Sequence, residues 1–206
     1  MKNVVICFEG IDGSGKHTQV NLLSGKLAER GIKSRVFSYP DYKSGYGVIV
    51  KKYLEGKIEM GVDELFLVFL AEKVRDNAII GKAMADGEVV ILDRYFYSAI
   101  AYQCAAGFDY GIAKRILEMI KWHRPSVVFY LDVTPEMSQE RKRKQKHELD
   151  KHEVDRPYLQ KVREYYLRLM REGYSGVDWV GLDGSASKNE IGKSVLSYLE
   201  KKGLLP

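Results

Sequence analysis

The sequence predicts a single α/β domain in which helices cover both faces of a parallel β-sheet. Apolar, β-rich runs alternate with segments whose apolar residues recur three or four positions apart, as expected for strands joined by crossover helices. Several of these runs are almost continuously apolar, which is typical of strands buried on both faces. The chain of 206 residues is long enough for one substantial core, and no internal repeat or low-complexity linker divides it.

The first half of the chain supplies three predicted strands and two long helices. The strands lie at 4–8, 34–39 and 88–92, and the helices lie at 16–30 and 63–85. The first helix is expected to stop at Gly31, because glycine readily takes the left-handed conformation that closes a helix. A loop is predicted after the second strand, because Pro40 cannot continue a central strand and Gly45 and Gly47 break the pattern that follows.

The second half continues the alternation and adds a charged segment. Helices are predicted at 98–105, 111–123, 158–169 and 188–201, and strands at 127–133 and 179–182. Another helix begins at Pro135 and becomes strongly basic at 141–144. The stretch that follows is mostly charged and lacks an apolar period, so it predicts a mobile connection. Together with the basic turn it forms a short basic lid at about 141–157, within one domain that spans residues 1–206.

The net charge, the number of cysteines and the absence of long apolar runs indicate which partners and which compartment to expect. The net charge of +5 suits an anionic partner, either a nucleotide in a cleft or a nucleic acid along a face. The two cysteines suggest no disulfide framework, so we expect a reducing, cytoplasmic compartment. The first residues lack the apolar run of a signal peptide, and no stretch reaches the roughly 18 apolar residues of a membrane span. We therefore expect no membrane association.

A glycine-rich segment between the first strand and the first helix carries the strongest functional signal. Its residues are Gly10, Ile11, Asp12, Gly13, Ser14, Gly15, Lys16, His17 and Thr18. Such a loop turns successive backbone N–H groups inward, and the helix start adds unpaired N–H groups and the positive end of its dipole. Lys16 brings a point charge to the β- and γ-phosphate oxygens. The segment therefore predicts a cradle for a polyphosphate.

His17 departs from the pattern of this loop, which asks for Ser or Thr after the lysine to place a hydroxyl on Mg²⁺. Thr18 comes one position late and points about 100° away on a helix of 3.6 residues per turn. Mg²⁺ prefers oxygen ligands, so His17 does not replace the hydroxyl directly. Three interpretations remain: the imidazole donates to a phosphate oxygen, it leaves Mg²⁺ to water and Asp93, or the site is impaired.

Four motifs together resemble those of the thymidylate kinase family. They are Phe8-Glu9-Gly10-Ile11-Asp12-Gly13-Ser14-Gly15-Lys16, Tyr39-Pro40-Asp41-Tyr42, Asp93-Arg94-Tyr95 followed by Ser98, Ala101, Tyr102 and Gln103, and Leu131-Asp132-Val133 with Pro135 and Glu136. The resemblance implies a three-layer P-loop kinase fold with five parallel strands. It implies transfer of the ATP γ-phosphoryl group to dTMP in dTTP synthesis, with Mg²⁺ bound at Asp93. It also implies a homodimer whose partners are nucleotides and not nucleic acid.

The resemblance assigns the acceptor nucleotide to one group of side chains, namely Asp12, Tyr39, Phe69, Lys73, Arg94, Ser98, Tyr102 and Gln103. In the family, the residue at Arg94 grips the acceptor phosphate, the one at Asp12 faces the sugar and the one at Phe69 stacks on the base. Lys73 stands where the family usually has an arginine that reaches the base edge. The residues alone leave other roles open, because Asp12 could simply tighten its loop, Phe69 could belong to the core, and Asp93 could be a structural cap.

The basic run at 141–146 has three interpretations from the residues alone, namely a solvated helix face, a nucleic-acid patch, or a lid that closes over phosphate. Relatives that lack an arginine in the phosphate loop supply it from the lid, and here the loop positions hold Gly13 and Ser14. The resemblance therefore implies Arg141 or Arg143 as the catalytic arginine beside Lys16 and Arg94. Lys73 and Ala99, which stands where relatives can carry a polar side chain, also leave open a kinase for another pyrimidine nucleotide. His17 leaves open a nucleotide-binding regulatory protein without turnover.

Overall fold

A computed structural model of the chain describes residues 3–145 and 150–205. Its strands are β1 (Val5–Glu9), β2 (Ser34–Ser38), β3 (Val89–Asp93), β4 (Val127–Asp132) and β5 (Asp178–Asp183). Its helices are α1 (Lys16–Glu29), α2 (Gly45–Leu54), α3 (Val62–Ala85), α4 (Phe96–Ala105), α5 (Tyr110–Glu118), α6 (Pro135–Gln145), α7 (Arg156–Arg171) and α8 (Lys188–Lys201). A short 3₁₀ turn, Tyr174–Gly176, precedes β5. The predicted alternation of strands and helices is confirmed.

The five strands form one sheet in the order β2-β3-β1-β4-β5, and every neighbouring pair is parallel. The strand β1 lies at the centre, with β3 on one side and β4 on the other. The direction of the connections changes there, and ligands of open α/β sheets bind at the carboxyl ends of strands beside such a point. Phe8 of β1 is in register with Asp93 of β3, so the segments after these two strands begin next to each other.

Alternate residues of β1 pack into two separate cores, one on each face of the sheet. Val5 and Cys7 belong to a core completed mainly by α3, α4, α5 and α7. Ile6 and Phe8 belong to a second core completed by α1 and α8. Because successive side chains of a strand point to opposite faces, an unbroken apolar strand requires such cover on both sides. The structure therefore has the predicted three layers.

The helix α2 is the largest departure from the predicted elements, since the sequence favoured a loop broken by Gly45 and Gly47. Ser44 starts this helix, because its Oγ accepts a hydrogen bond of 2.9 Å from the N–H of Gly47. Gly47 is required for packing, because a Cβ at this position would overlap the backbone carbonyl of Asp41. Gly47 thus permits close approach of the preceding loop, and neither glycine ends the helix.

The predicted lid at 141–157 combines three parts. Its basic beginning is the last turn of α6, and its end is the first turn of α7, which starts at Arg156. The segment 146–149, with Lys146 and His147, lies outside the described residues. The described remainder, from 150 to 155, connects to α7, where the Asp155 side chain accepts a hydrogen bond of 2.9 Å from the N–H of Tyr158. Across the described residues, no helix is both long enough and apolar enough to cross a bilayer.

Candidate active site

The glycine-rich segment forms a tight loop between β1 and α1. Gly13 and Gly15 have φ angles of 70° and 95°, a region that glycine occupies without strain. Space also excludes a side chain at Gly13, because a Cβ there would lie 2.7 Å from the backbone oxygen of Ser138 in α6. Ser138 Oγ in turn donates to the backbone oxygen of Asp12 over 2.6 Å. The helix that leads into the lid is therefore packed directly on the loop.

Lys16 is the buried cation of this loop. Its Nζ donates to the backbone oxygen of Ile11 over 2.8 Å and to Ser14 Oγ over 3.2 Å. Burial, followed by repulsion from the Arg94 guanidinium, lowers the pKa of Lys16 to about 7. The phosphates of a bound nucleotide would oppose both effects, so the loop is electrostatically suited to a polyphosphate.

Arg94 links the loop to the neighbouring strand β3. It follows β3 directly with a φ angle of 69°, which is uncommon for a residue with a side chain. Its backbone N–H donates to the carbonyl of Phe8 in β1 over 2.9 Å. Its Nη1 donates to the carbonyl of Gly10 over 2.8 Å, and its Nη2 donates to Asp12 Oδ1 over 2.7 Å. One guanidinium therefore spans the phosphate loop.

Glu9 is a buried carboxylate that the sequence analysis did not assign to the site. Its Oε2 accepts from Ser98 Oγ at 2.6 Å and from the Tyr166 hydroxyl at 2.9 Å, while Oε1 accepts from the N–H of Tyr95 at 2.8 Å. Ser98 and Tyr166 also accept from Arg94 Nη1, at 3.4 and 3.2 Å. Burial raises the pKa of Glu9 above its ordinary value. A carboxylate at the end of an otherwise apolar strand was the signal for this role, whereas Tyr166 carried none.

A cavity of about 240 Å³ opens beside the loop, at the carboxyl ends of β1, β2 and β3. All eight side chains that the resemblance assigns to the acceptor nucleotide line it: Asp12, Tyr39, Phe69, Lys73, Arg94, Ser98, Tyr102 and Gln103. Small Ala99 also lines it, and the lid contributes Lys142, His152 and Glu153. The fold therefore brings residues from the loop, from the segment after β2, from α3 and α4, and from the lid to one cavity.

Asp12 is the acidic group at the end of the cavity nearest the loop. The Tyr102 hydroxyl donates to Asp12 Oδ2 over 2.8 Å and accepts from Arg94 Nη2 over 3.1 Å. Burial alone would raise the pKa of Asp12, but the positive charges of Arg94 and Lys16 outweigh it and hold this pKa well below its ordinary value. Asp12 is therefore an ionised hydrogen-bond acceptor, which suits a hydroxyl group of a ligand.

Lys73 and Gln103 place opposite hydrogen-bonding groups on the cavity wall. Lys73 Nζ donates to the backbone oxygen of Phe69 over 3.1 Å and lies 3.8 Å from Glu72 Oε2. Burial lowers the pKa of Lys73 to about 8, although the Glu72 carboxylate opposes the shift. Gln103 Oε1 is buried and has no hydrogen-bond partner within the described part of the chain. The cavity thus has a cationic donor and an open acceptor.

The cations of the lid helix α6 occupy different environments. Arg141 donates to the carbonyl of Gly13 over 3.3 Å and to the carbonyl of Gly184 over 2.8 Å, so it ties the helix to the loop. The side chain of Arg143 is exposed. Lys142, which the sequence analysis did not single out, lines the cavity, and its Nζ lies 2.9 Å from Oε1 of the buried Glu153.

Asp93, the predicted magnesium ligand, ends β3 with its carboxylate beside the loop. Its Oδ2 lies 3.2 Å from Nδ1 of His17, whose side chain is 74% exposed, while Thr18 is exposed at the next position of α1. Within residues 3–145 and 150–205, no group of three or more His, Cys, Asp or Glu residues is arranged to hold a metal. One hard carboxylate fits a Mg²⁺ ion that keeps several waters and is carried by nucleotide phosphates. The imidazole does not fit that ion.

Comparisons with known proteins agree with this geometry. The model of the thymidylate kinase family matches residues 8–202. The chain is 34% identical over 196 residues to a thymidylate kinase from Leptospira interrogans, covering 92% of this chain and 90% of that protein. It is 34% identical over 199 residues to a probable thymidylate kinase from Methanocaldococcus jannaschii, covering 96% of each. The structure of thymidylate kinase from Candida albicans has the same fold, with a TM-score of 0.82, 23% identity, and coverage of 97% of this chain and 92% of that chain.

Proposed function

Because this chain belongs to the thymidylate kinase family, we propose that it transfers the γ-phosphoryl group of ATP to dTMP, giving ADP and dTDP for dTTP synthesis. The observation that carries this proposal is the position of Arg94. Its guanidinium contacts Gly10 of the phosphate loop and Asp12 of the neighbouring cavity, so a donor and an acceptor phosphate would meet at one side chain.

The phosphate loop is proposed to hold the donor, ATP. Its backbone N–H groups and the start of α1 favour the β- and γ-phosphates, and Lys16 would exchange its contacts with Ile11 and Ser14 for phosphate oxygens. The ion carried by ATP is proposed to be divalent, and Asp93 is proposed to act on it through water or through its contact with His17. The resemblance implies Mg²⁺ as the species. When bound, such an ion would neutralise charge on the β- and γ-oxygens.

Arg94 is proposed to bind and orient the acceptor phosphate. The 5′-phosphate of dTMP is largely a dianion at neutral pH, because its second pKa lies near 6, so no general base is needed. One of its oxygens forms a bond to the γ-phosphorus while the bond from that phosphorus to the β-γ bridging oxygen breaks, and the electron pair leaves with ADP. The planar fork of arginine offsets the repulsion between the two phosphates. If Arg94 exchanges its hydrogen bond with Asp12 for one with the acceptor phosphate, the Asp12 carboxylate becomes available to a hydroxyl group of the sugar.

Lys73 and Gln103 support a thymine or uracil base in the cavity. The N3–H of these bases can donate to the open Gln103 Oε1, and O4 can accept from Lys73 Nζ. Cytosine presents an acceptor at N3 and an amino group at C4, so its pattern is reversed. Phe69 supplies an aromatic face in the same cavity, and base stacking on such a face contributes about 1 to 3 kcal/mol.

The lid cation is proposed to be Lys142. The sequence predicted Arg141 or Arg143 for this role, but Arg141 is engaged with two backbone carbonyls and the side chain of Arg143 is exposed. Lys142 lies in the cavity wall, and its partner Glu153 is only 2% exposed, so the ammonium group is held at the cavity where the acceptor phosphate is proposed to bind. Arg141 is proposed to position the lid on the loop.

A homodimer is proposed through the outer face of α3. Four small or apolar residues, Leu67, Ala71, Val74 and Ala78, recur at spacings of four, three and four residues, which places them on one stripe. Leu67 and Val74 are 55% and 44% exposed, although both are large apolar residues. A stripe of this kind suits the face of a second copy of the same helix. Cys7 and Cys104 are both free thiols, which suits a reducing compartment, and the compartment is proposed to be the cytoplasm.

The proposed reaction is tested by an acceptor panel. Purified protein and Mg·ATP are incubated with dTMP, dUMP, UMP, CMP or dCMP, and nucleoside diphosphate and ADP are measured separately. We expect the highest kcat/KM with dTMP and the lowest rates with the two cytosine nucleotides. Equal rates with all acceptors would favour a broader pyrimidine kinase, and tight nucleotide binding without ADP formation would favour a regulatory protein.

A further inference from the structure

His17 stands at the position where the loop motif places a metal-binding hydroxyl, and its imidazole meets a carboxylate there. Nδ1 of His17 lies 3.2 Å from Asp93 Oδ2. The two side chains come from different elements, because His17 belongs to the first turn of α1 and Asp93 ends β3. The His17 side chain is 74% exposed, so a bound ligand can reach it. The fold therefore holds an oriented but accessible imidazole beside the phosphate loop.

The contact with Asp93 determines what the imidazole can offer. A metal-binding histidine commonly donates its second ring N–H to a carboxylate, which fixes the tautomer and the orientation of the ring. If Nδ1–H of His17 donates to Asp93, the free lone pair is on Nε2, and neutral imidazole cannot donate from that nitrogen to a phosphate. An imidazole lone pair is a poor ligand for Mg²⁺ but a good one for transition metals. The arrangement therefore favours a divalent transition metal over Mg²⁺.

We propose that His17 is a direct ligand of the divalent cation bound with the donor nucleotide, that Asp93 positions it, and that the site consequently selects Mn²⁺ or Co²⁺ over Mg²⁺. The inference rests on the proposed function, because nucleotide phosphates must supply further ligands. The described residues contain no group of three metal-binding side chains that could hold the ion without them. Metal binding should therefore be tight only in the presence of nucleotide.

Pulsed EPR of Mn²⁺ bound to the protein·ADP complex tests the ligand directly. The protein is labelled with ¹⁵N-histidine, so that a coupling to histidine nitrogen is distinguished from one to the adenine ring. We expect this coupling in the wild type and its loss in His17→Thr, which restores the hydroxyl of the motif. His123→Asn is the matched control, because His123 packs against Gly81 and precedes β4 at the opposite edge of the sheet, and it should keep the coupling.

Calorimetric titration of the same complexes tests the selectivity. The ratio of Mn²⁺ to Mg²⁺ affinity for protein·ADP should fall about tenfold or more in His17→Thr, the scale expected when a ligand or its oriented partner is lost. Mg²⁺ affinity itself should rise, because threonine supplies an oxygen. The same ratio in His123→Asn should equal that of the wild type. Thermal melting of all three proteins checks that they are folded.

The outcomes separate this inference from the proposed function. Bound Mn²⁺ without histidine coupling in the wild type overturns the inference, and so does a coupling that persists in His17→Thr. Formation of dTDP from ATP and dTMP is measured in parallel with Mg²⁺, Mn²⁺ and Co²⁺. If dTDP forms but the histidine coupling is absent, His17 is not a metal ligand and the proposed kinase function stands. If the coupling depends on His17 but no dTDP forms with any of the three metals, His17 is a metal ligand and the proposed kinase function is wrong.

Discussion

Arg94 illustrates at the scale of one residue how an unfavourable backbone conformation serves a site. A φ angle of 69° costs a residue with a side chain of order 1 to 3 kcal/mol, so it persists only where contacts hold it. Here the contacts are the Arg94 N–H with Phe8, Nη1 with Gly10, and the polar network around Glu9. The conformation directs the guanidinium back across the loop. Its position therefore depends on β1 and β3 being neighbours, which the tripeptide Asp93-Arg94-Tyr95 alone does not reveal.

The substitution Arg94→Lys tests whether the fork of the guanidinium is essential. Lysine keeps the positive charge, but it cannot present two parallel donors to a phosphate, so the acceptor should lose its fixed angle of attack. A misplacement of about 1 Å can cost about a hundredfold in rate, and we expect kcat/KM for dTMP to fall by at least that factor. Steady-state kinetics at saturating ATP measures it, with thermal melting as the control. Near-normal kcat/KM would show that Arg94 has only a structural role.

The pH dependence of dTMP use tests the role of Lys73. Its pKa is lowered to about 8 by burial, so the ammonium form predominates below that pH and is lost above it. If the charged form donates to the base, kcat/KM for dTMP at saturating ATP should fall as pH rises through about 8. The acceptor phosphate, with a second pKa near 6, does not titrate there.

The matched variant for this experiment is Lys73→Arg, because arginine stays protonated across the range. In this variant the fall of kcat/KM with rising pH should move above about pH 10, even if the absolute rate changes. A wild-type profile that is flat from pH 7 to 9 would show that the charge on Lys73 does not matter for the acceptor. If kcat/KM falls at the same pH in Lys73→Arg as in the wild type, another group is responsible for the titration.

The candidate site was only partly predictable from single residues. Glycines, a lysine and a strand-to-helix context predict the phosphate loop, because the chemistry is encoded within nine consecutive positions. The cavity residues come from several elements, and only the resemblance grouped them. Lys142 was not singled out, because a run of like charges does not tell which member lines the cavity. That choice depends on Glu153, which is eleven positions away and buried only once the lid has folded.

At the scale of elements, the strands were predictable and α2 was not. The three central strands carry the near-continuous apolar runs of buried parallel strands, and all five strands were located within one residue of their observed ends. The start of α2 carries two glycines, which lower helix propensity, but the Ser44 cap and the packing of Gly47 on Asp41 outweigh that preference. Tertiary contacts that no local pattern encodes therefore decided this helix.

The lid helix α6 provides the test at this scale. If Lys142 acts on the transferring phosphate, Lys142→Ala should lower kcat at least about tenfold while leaving dTMP affinity nearly unchanged. Arg143→Ala is the matched control, because it removes a cation from the next position of the same helix with an exposed side chain. Single-turnover rates and dTMP titrations of both variants provide the comparison. A larger loss in Arg143→Ala than in Lys142→Ala would return the role to the arginine.

At the scale of the whole molecule, the site occupies one edge of the sheet and leaves the outer face of α3 free for assembly. The helix contributes Phe69 and Lys73 to the cavity, while its opposite stripe carries Leu67 and Val74 to the surface. Exposed apolar side chains that repeat along a helix are costly in water unless a partner covers them. The same helix can therefore serve the nucleotide on one face and a second subunit on the other.

The substitution Val74→Glu tests this assembly. A carboxylate at the centre of the stripe would face its own copy across a two-fold axis, so both desolvation and like-charge repulsion oppose pairing. We expect the wild type to sediment as a dimer and Val74→Glu to sediment as a folded monomer. Ile112→Glu is the matched control, since Ile112 is 42% exposed on α5, outside the stripe, and its variant should remain dimeric. A monomeric wild type, or a dimer that survives Val74→Glu, would contradict an interface on this face.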